Sequence, residues 1–143
     1  MIFSLPAGYI GAKFGRKRSI ILGLITTAVC LFLGTMFART MRGEAIVKPF
    51  LVLFVIGGMG WALTNVNSLP MVLDMASENR LGGYTGLYYL FSMLANIVSP
   101  PLTGLMLDLF GYKILFNFAA LFVICSSLSV SFVKRGDTVV RRT

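Results

Sequence analysis

Four uncharged apolar runs, each about 20 residues long, leave this chain few ways to fold. They are SIILGLITTAVCLFLGTMF at 19–37, FLVLFVIGGMGWALTNVNSLPMV at 50–72, YTGLYYLFSMLANIVSPPLTGLML at 84–107 and ILFNFAALFVICSSLSVSFV at 114–133. At a rise of about 1.5 Å per residue, a helix of that length crosses a hydrocarbon core about 30 Å thick. Backbone groups in lipid need internal partners, which leaves helices or closed barrels; barrel strands would alternate in polarity and be about half as long. The runs therefore predict an all-α integral membrane protein, a single membrane domain over residues 1–143. Residues 1–12 are apolar but too short to span, and read as the tail of a further helix. They lack the basic start and cleavage-type end of a secretory signal.

Charge supports the same class. A net charge of +8 and a pI near 10.0 would suit a nucleic-acid binder. Only 13% of residues are charged, however, and mean hydropathy is +0.84. The cations gather between the apolar runs, where Lys and Arg set membrane topology, so the bilayer is the expected partner and nucleic acid is not. Lys13, Arg16, Lys17 and Arg18 precede the first run, Arg80 separates the second from the third, and Lys134, Arg135, Arg141 and Arg142 follow the fourth. The opposite side holds Arg39, Arg42, Lys48 and Lys113. This asymmetry predicts both termini in the cytoplasm. The plasma (inner) membrane is the expected location.

Catalysis is not expected. The chain has no His, Cys30 and Cys125 sit in apolar runs as small hydrophobes, and no nucleophile stands beside a base. No metal-ligand spacing is present, and no cofactor is implied.

The stretch GYIGAKFGRKRS at 8–19 is the densest cation cluster. Its Gly8, Lys13, Gly15, Arg16, Lys17 and Arg18 resemble the cytoplasmic loop motif of the major facilitator superfamily, Gly-x-x-x-Asp-(Arg/Lys)-x-Gly-(Arg/Lys)-(Arg/Lys). Ala12 replaces the Asp, which favours the weaker copy of the motif between helices eight and nine. GWALTNVNSLPMVLDMAS and GLYYLFSMLANIVSPPLTGLMLDLFGY resemble helices ten and eleven of the glycoside- and sucrose-type proton symporter branch. The resemblance covers the chain from the end of helix eight through helix twelve. It implies the carboxyl-terminal portion of a transporter whose amino-terminal helices are missing here. Such a transporter would move a sugar or similar small solute, with a proton, by alternating access. Drug or metabolite efflux within the same superfamily is one alternative; a small four-helix scaffold or assembly protein is another.

Residue chemistry leaves two readings open at each candidate site. Glycines in the motif let the chain bend tightly, while its cations can bond helix C-terminal carbonyls or pair with Asp74 and Glu78 as a gate. The same cations could be solvated topology anchors, since exposed ion pairs are worth only about 0–1 kcal/mol. Trp61, Thr64, Asn65 and Ser68 fall on one helical face of the second run, and Thr85, Tyr88, Ser92, Asn96 and Ser99 form a stripe on the third. Amides can pair with sugar hydroxyls and an indole can cover a pyranose face, making Trp61, Asn65, Ser68, Tyr88, Ser92 and Asn96 candidate substrate contacts. As a plainer reading, they are interhelical hydrogen-bonding groups. Asn67 lies off the Trp61 face and reads as packing or gating. Gly57, Gly58 and Gly60, with Gly82 and Gly86, suggest close helix packing or a hinge, and Pro70, Pro100 and Pro101 should loosen their helices. No charge lies in the middle of any run, so a proton-coupling carboxylate belongs to other helices. The first and fourth runs, with scattered Thr, Ser and Asn117, suit peripheral positions.

Overall fold

The computed structural model describes residues 3–41 and 43–134. Arg42, Arg135, Arg141 and Arg142, which enter the topology reading, lie outside the described residues. Five α-helices follow one another: α1 Ser4–Phe14, α2 Arg16–Thr40, α3 Val47–Leu73, α4 Leu81–Phe110 and α5 Leu115–Phe132. Short 3-10 helices at Gly43–Ile46, Glu78–Arg80 and Tyr112–Ile114 link the later ones, and no strand occurs among the described residues. α2 to α5 are each long and apolar enough to cross a membrane. The result is a partial all-α membrane bundle.

The helices extend past the apolar runs, and the extensions are informative. α2 begins at Arg16, so the clustered cations form its first turn instead of a loop. The connection from α1 is Gly15 alone, at φ 98°. That backbone region disfavours any residue with a Cβ, so glycine is required for so sharp a corner. α3 accommodates Pro49 because the first turn has no intrahelical use for its missing N–H. α4 runs unbroken through Pro100 and Pro101, contrary to a simple break. The two prolines still remove the donors that would bond the carbonyls of Asn96 and Ile97, four residues earlier.

α2 is the hub. It packs against α1, α3 and α5, and buries Ser19, Ile20, Gly23, Leu24, Gly34 and Thr35. Within this chain it is the most widely contacted helix. Ile20, Leu24 and Met71 form the core, with Val123, Val130 and Val133 of α5 and its end packed against them. Farther along, α2 and α3 cross backbone to backbone at Gly23 and Gly60. A Cβ built on Gly23 would lie 2.5 Å from the Gly60 carbonyl oxygen, and one on Gly60 would lie 2.7 Å from that of Gly23. Close approach of this kind is how membrane helices gain packing without a hydrophobic driving force between them. By contrast, Gly58, Gly82 and Gly86 have nothing within 4 Å of an added Cβ. No residue of α4 is buried. It meets α3 where Val72 faces Tyr84, Leu87, Tyr88, Phe91, Ser92 and Ala95 across a shallow depression.

Candidate functional site

The cation-rich end is built from three helix termini. Arg16 opens α2, and its guanidinium reaches the carboxylate of Asp74 just past the end of α3 at 3.2 Å, both side chains about one-fifth exposed (21% and 22%). A carboxylate near the start of α2 and a cation near the end of α3 each oppose the local helix dipole favourably. The neighbouring Lys17 ammonium donates to the carbonyls of Ser131 and Val133, at 2.8 and 2.7 Å, and so caps the end of α5. These carbonyls have no intrahelical donor, and a lysine is a suitable substitute. Thus the motif ties the starts of α2 to the ends of α3 and α5. Glu78 makes no ion pair among the described residues, and Arg18 is exposed. Gly8 and Lys13 lie on α1, where an added Cβ at Gly8 would touch Val66 of α3.

Asn67 is the polar residue that the helix periodicity separates from the Trp61 face. It is 3% exposed, and its amide donates to the carbonyls of Ala7 on α1 and Leu63 on its own helix, at 3.1 and 2.8 Å. Gly60, Asn67 and Met71, at i, i+7 and i+11, are the buried residues of α3, a spacing that marks its packed side. A second cross-helix bond joins Thr35 of α2 to Asn117 of α5 at 2.9 Å, near the other end of the bundle. Only the pairing of helices, which residue types do not encode, could have revealed these partners.

The two polar stripes are divided: Thr64 lies against Gly23 of α2 in the packed crossing, while the remaining candidate contacts are exposed or half-buried. Trp61 is 65% exposed, and Asn65 is exposed with its amide turned back on the Trp61 carbonyl at 3.1 Å. Ser68 and Ser92 are half-buried and likewise donate to carbonyls one turn back, those of Thr64 and Tyr88. Asn96 is exposed on α4, beside the carbonyls that the prolines leave without backbone donors. Among the described residues no hydrogen bond links the α3 stripe to the α4 stripe. Tyr88 and Ser92 do share the depression that Val72 borders.

The amino-acid sequence that builds this corner matches a known family. The model of the Major Facilitator Superfamily aligns with residues 1–142. The chain belongs to the major facilitator superfamily. Among curated superfamily relatives, dipeptide and tripeptide permease B of Salmonella typhimurium is 29% identical over 134 residues, covering 90% of this chain and 26% of the permease. An uncharacterized superfamily transporter of Methanocaldococcus jannaschii is 24% identical over 141 residues, 99% of this chain and 34% of the relative. An uncharacterized transporter of Buchnera aphidicola is 29% identical over 136 residues, 93% of this chain and 32% of its own. The chain therefore spans about a quarter to a third of the relatives it matches. No solved structure matches it. These relatives are transporters, and this chain is an integral membrane protein of a solute-transporting superfamily.

Proposed function

We propose that the chain is the carboxyl-terminal portion of a secondary active transporter that moves a small polar solute by alternating access. The observation that carries this is α4. A helix long enough to cross a membrane buries no residue here, yet bears Tyr88, Ser92 and Asn96 on one side. Lipid offers these groups no partner, so their face calls for protein or an aqueous cavity. The exposed Trp61 and Asn65 of α3 have the same need. Helices supplied by the rest of the transporter would close a midplane site against these faces. In that setting Trp61, Asn65, Ser68, Tyr88, Ser92 and Asn96 contact the solute.

The solute class divides two readings. Segment likeness favours a sugar, whereas the relatives with a named substrate class are dipeptide and tripeptide permeases. We favour a short peptide, because the permeases match across most of the chain. Asn amides can pair with peptide groups as readily as with hydroxyls. Any coupling proton would use a carboxylate on other helices, since Glu44, Asp74, Glu78 and Asp108 all lie at or beyond helix ends here. Arg16 and Asp74 would lock one conformation of the gate, with both termini on the cytoplasmic side of the plasma membrane.

The test is counterflow of a labelled dipeptide and a labelled disaccharide into proteoliposomes of the complete transporter. Saturable dipeptide exchange, weakened about tenfold by Asn65→Leu through loss of one pairing of about 1–3 kcal/mol, is the expected result. Disaccharide exchange in its place restores the sugar reading. Exchange of either solute that ignores Asn65→Leu removes Asn65 from the site.

A further inference from the structure

At the end of the bundle remote from Arg16, α2, the 3-10 helix Tyr112–Ile114 and the start of α5 border a crevice of about 610 Å³ lined by Thr35, Ala38, Arg39, Tyr112, Lys113 and Phe116. We propose that this crevice binds the phosphate headgroup of an anionic phospholipid. Arg39 and Lys113 converge on it from different helices, and neither has a carboxylate in ion-pair reach among the described residues. Two like charges in one recess repel, and an anion between them reverses the sign of that interaction. Arg39 offers a planar fork of donors and Lys113 a compact ammonium, both suited to phosphate oxygens. Ala38 and Phe116 supply an apolar wall, and Tyr112 is 81% exposed at the mouth.

Position distinguishes a lipid from a soluble anion. α2 has 25 residues, so Arg39 stands roughly 35 Å along the axis from Arg16, at the opposite headgroup level. An exposed tyrosine beside cations is the usual composition of that interface. Below the crevice the same pair of helices forms an apolar groove that includes Ile25, Ala28, Ile124 and Leu128. Ile25, Ala28, Thr35 and Arg39 share one side of α2 at helical spacing, which puts groove and crevice on the same side of that helix. Headgroup and acyl chain of a single lipid thus have adjoining surfaces of matching polarity.

The proposal is tested on the full chain in phosphatidylcholine nanodiscs carrying stepped fractions of phosphatidylglycerol, with bound lipid read by native mass spectrometry. A cation near an anionic headgroup contributes roughly fivefold, so Arg39→Gln with Lys113→Gln should weaken phosphatidylglycerol retention about 30-fold. Lys48→Gln, a charge at the same end outside the crevice, should leave it unchanged, and Lys113→Arg should preserve it. Equal retention by the double variant overturns the site. Release of the bound lipid by millimolar inorganic phosphate assigns the crevice to a soluble anion and overturns the lipid. Should the double variant fail to fold, Tyr112→Trp in a Trp61→Phe background keeps both cations. Brominated phosphatidylglycerol must then quench its fluorescence more than brominated phosphatidylcholine; equal quenching refutes the proposal.

Discussion

Alanine at Gly60 should destabilise the bundle while alanine at Gly58 does not. A Cβ on Gly60 would stand 2.7 Å from the Gly23 carbonyl oxygen and 2.8 Å from Thr27 Oγ1, against ordinary contact distances of about 3.5 Å. The first of these is backbone, so α2 and α3 must part by several tenths of an ångström. Gly58 has nothing within 4 Å. Both replacements gain the same helix propensity, up to about 1 kcal/mol, so their difference isolates the clash. Overpacking of this kind costs about 1–3 kcal/mol. Far-UV circular dichroism during unfolding of the chain in mixed detergent micelles, titrated with sodium dodecyl sulfate, measures that difference. Once the helices have separated for one methyl, a second is cheap, so Gly23→Ala combined with Gly60→Ala should cost less than the sum of the two. Equal stability of Gly58→Ala and Gly60→Ala would refute the crossing. A hinge at Gly60 would instead show as altered transport without altered stability.

Three further outcomes are expected. In cells expressing a variant without Cys30 and Cys125, an impermeant thiol reagent should label Glu44→Cys and spare Asn79→Cys; the reverse pattern inverts the topology. In the complete transporter, Arg16→Asp or Asp74→Arg alone should slow uptake, and the exchanged pair should recover part of it through an interaction worth about 1 kcal/mol, whereas additive losses leave Arg16 as an anchor only. Lys17→Met should accelerate hydrogen exchange at residues 130–132 about tenfold by uncapping α5, at about 1–2 kcal/mol for the lost charged hydrogen bonds; unchanged protection would show that the end of α5 is held by packing alone.

Span number and helix type were legible because lipid admits so few backbone arrangements for twenty uncharged residues in a row. Helix ends were not. Arg16, Lys17 and Arg18 read as a loop through the motif they resemble, yet they open α2; cations are unfavourable at a helix start, and their partners, Asp74 and the end of α5, lie more than 50 and 110 residues away. The pairing of Arg16 with Asp74 was one of several combinations the charges allowed; which one forms depends on how α3 lies against α2. Asn67 could be separated from the Trp61 face by periodicity, but its acceptor on Ala7 belongs to a different helix. The superfamily was legible in the cation motif. The branch was not: the helices read as those of sugar symporters, while the relatives that match include a dipeptide and tripeptide permease, because long apolar helices look alike and solute choice rests on a few side chains.

The exposed state of α4 also has a mechanical side. Its 30 residues make a rod about 45 Å long that starts at Leu81, near its meeting with Val72. Turning such a rod by about 10° at that end carries Phe110 sideways by about 8 Å, more than the width of a water molecule, while atoms beside Val72 move by only a fraction of that. A small rotation at the Leu81 end thus becomes a displacement of several ångströms at the opposite end of the helix, a consequence of its length alone.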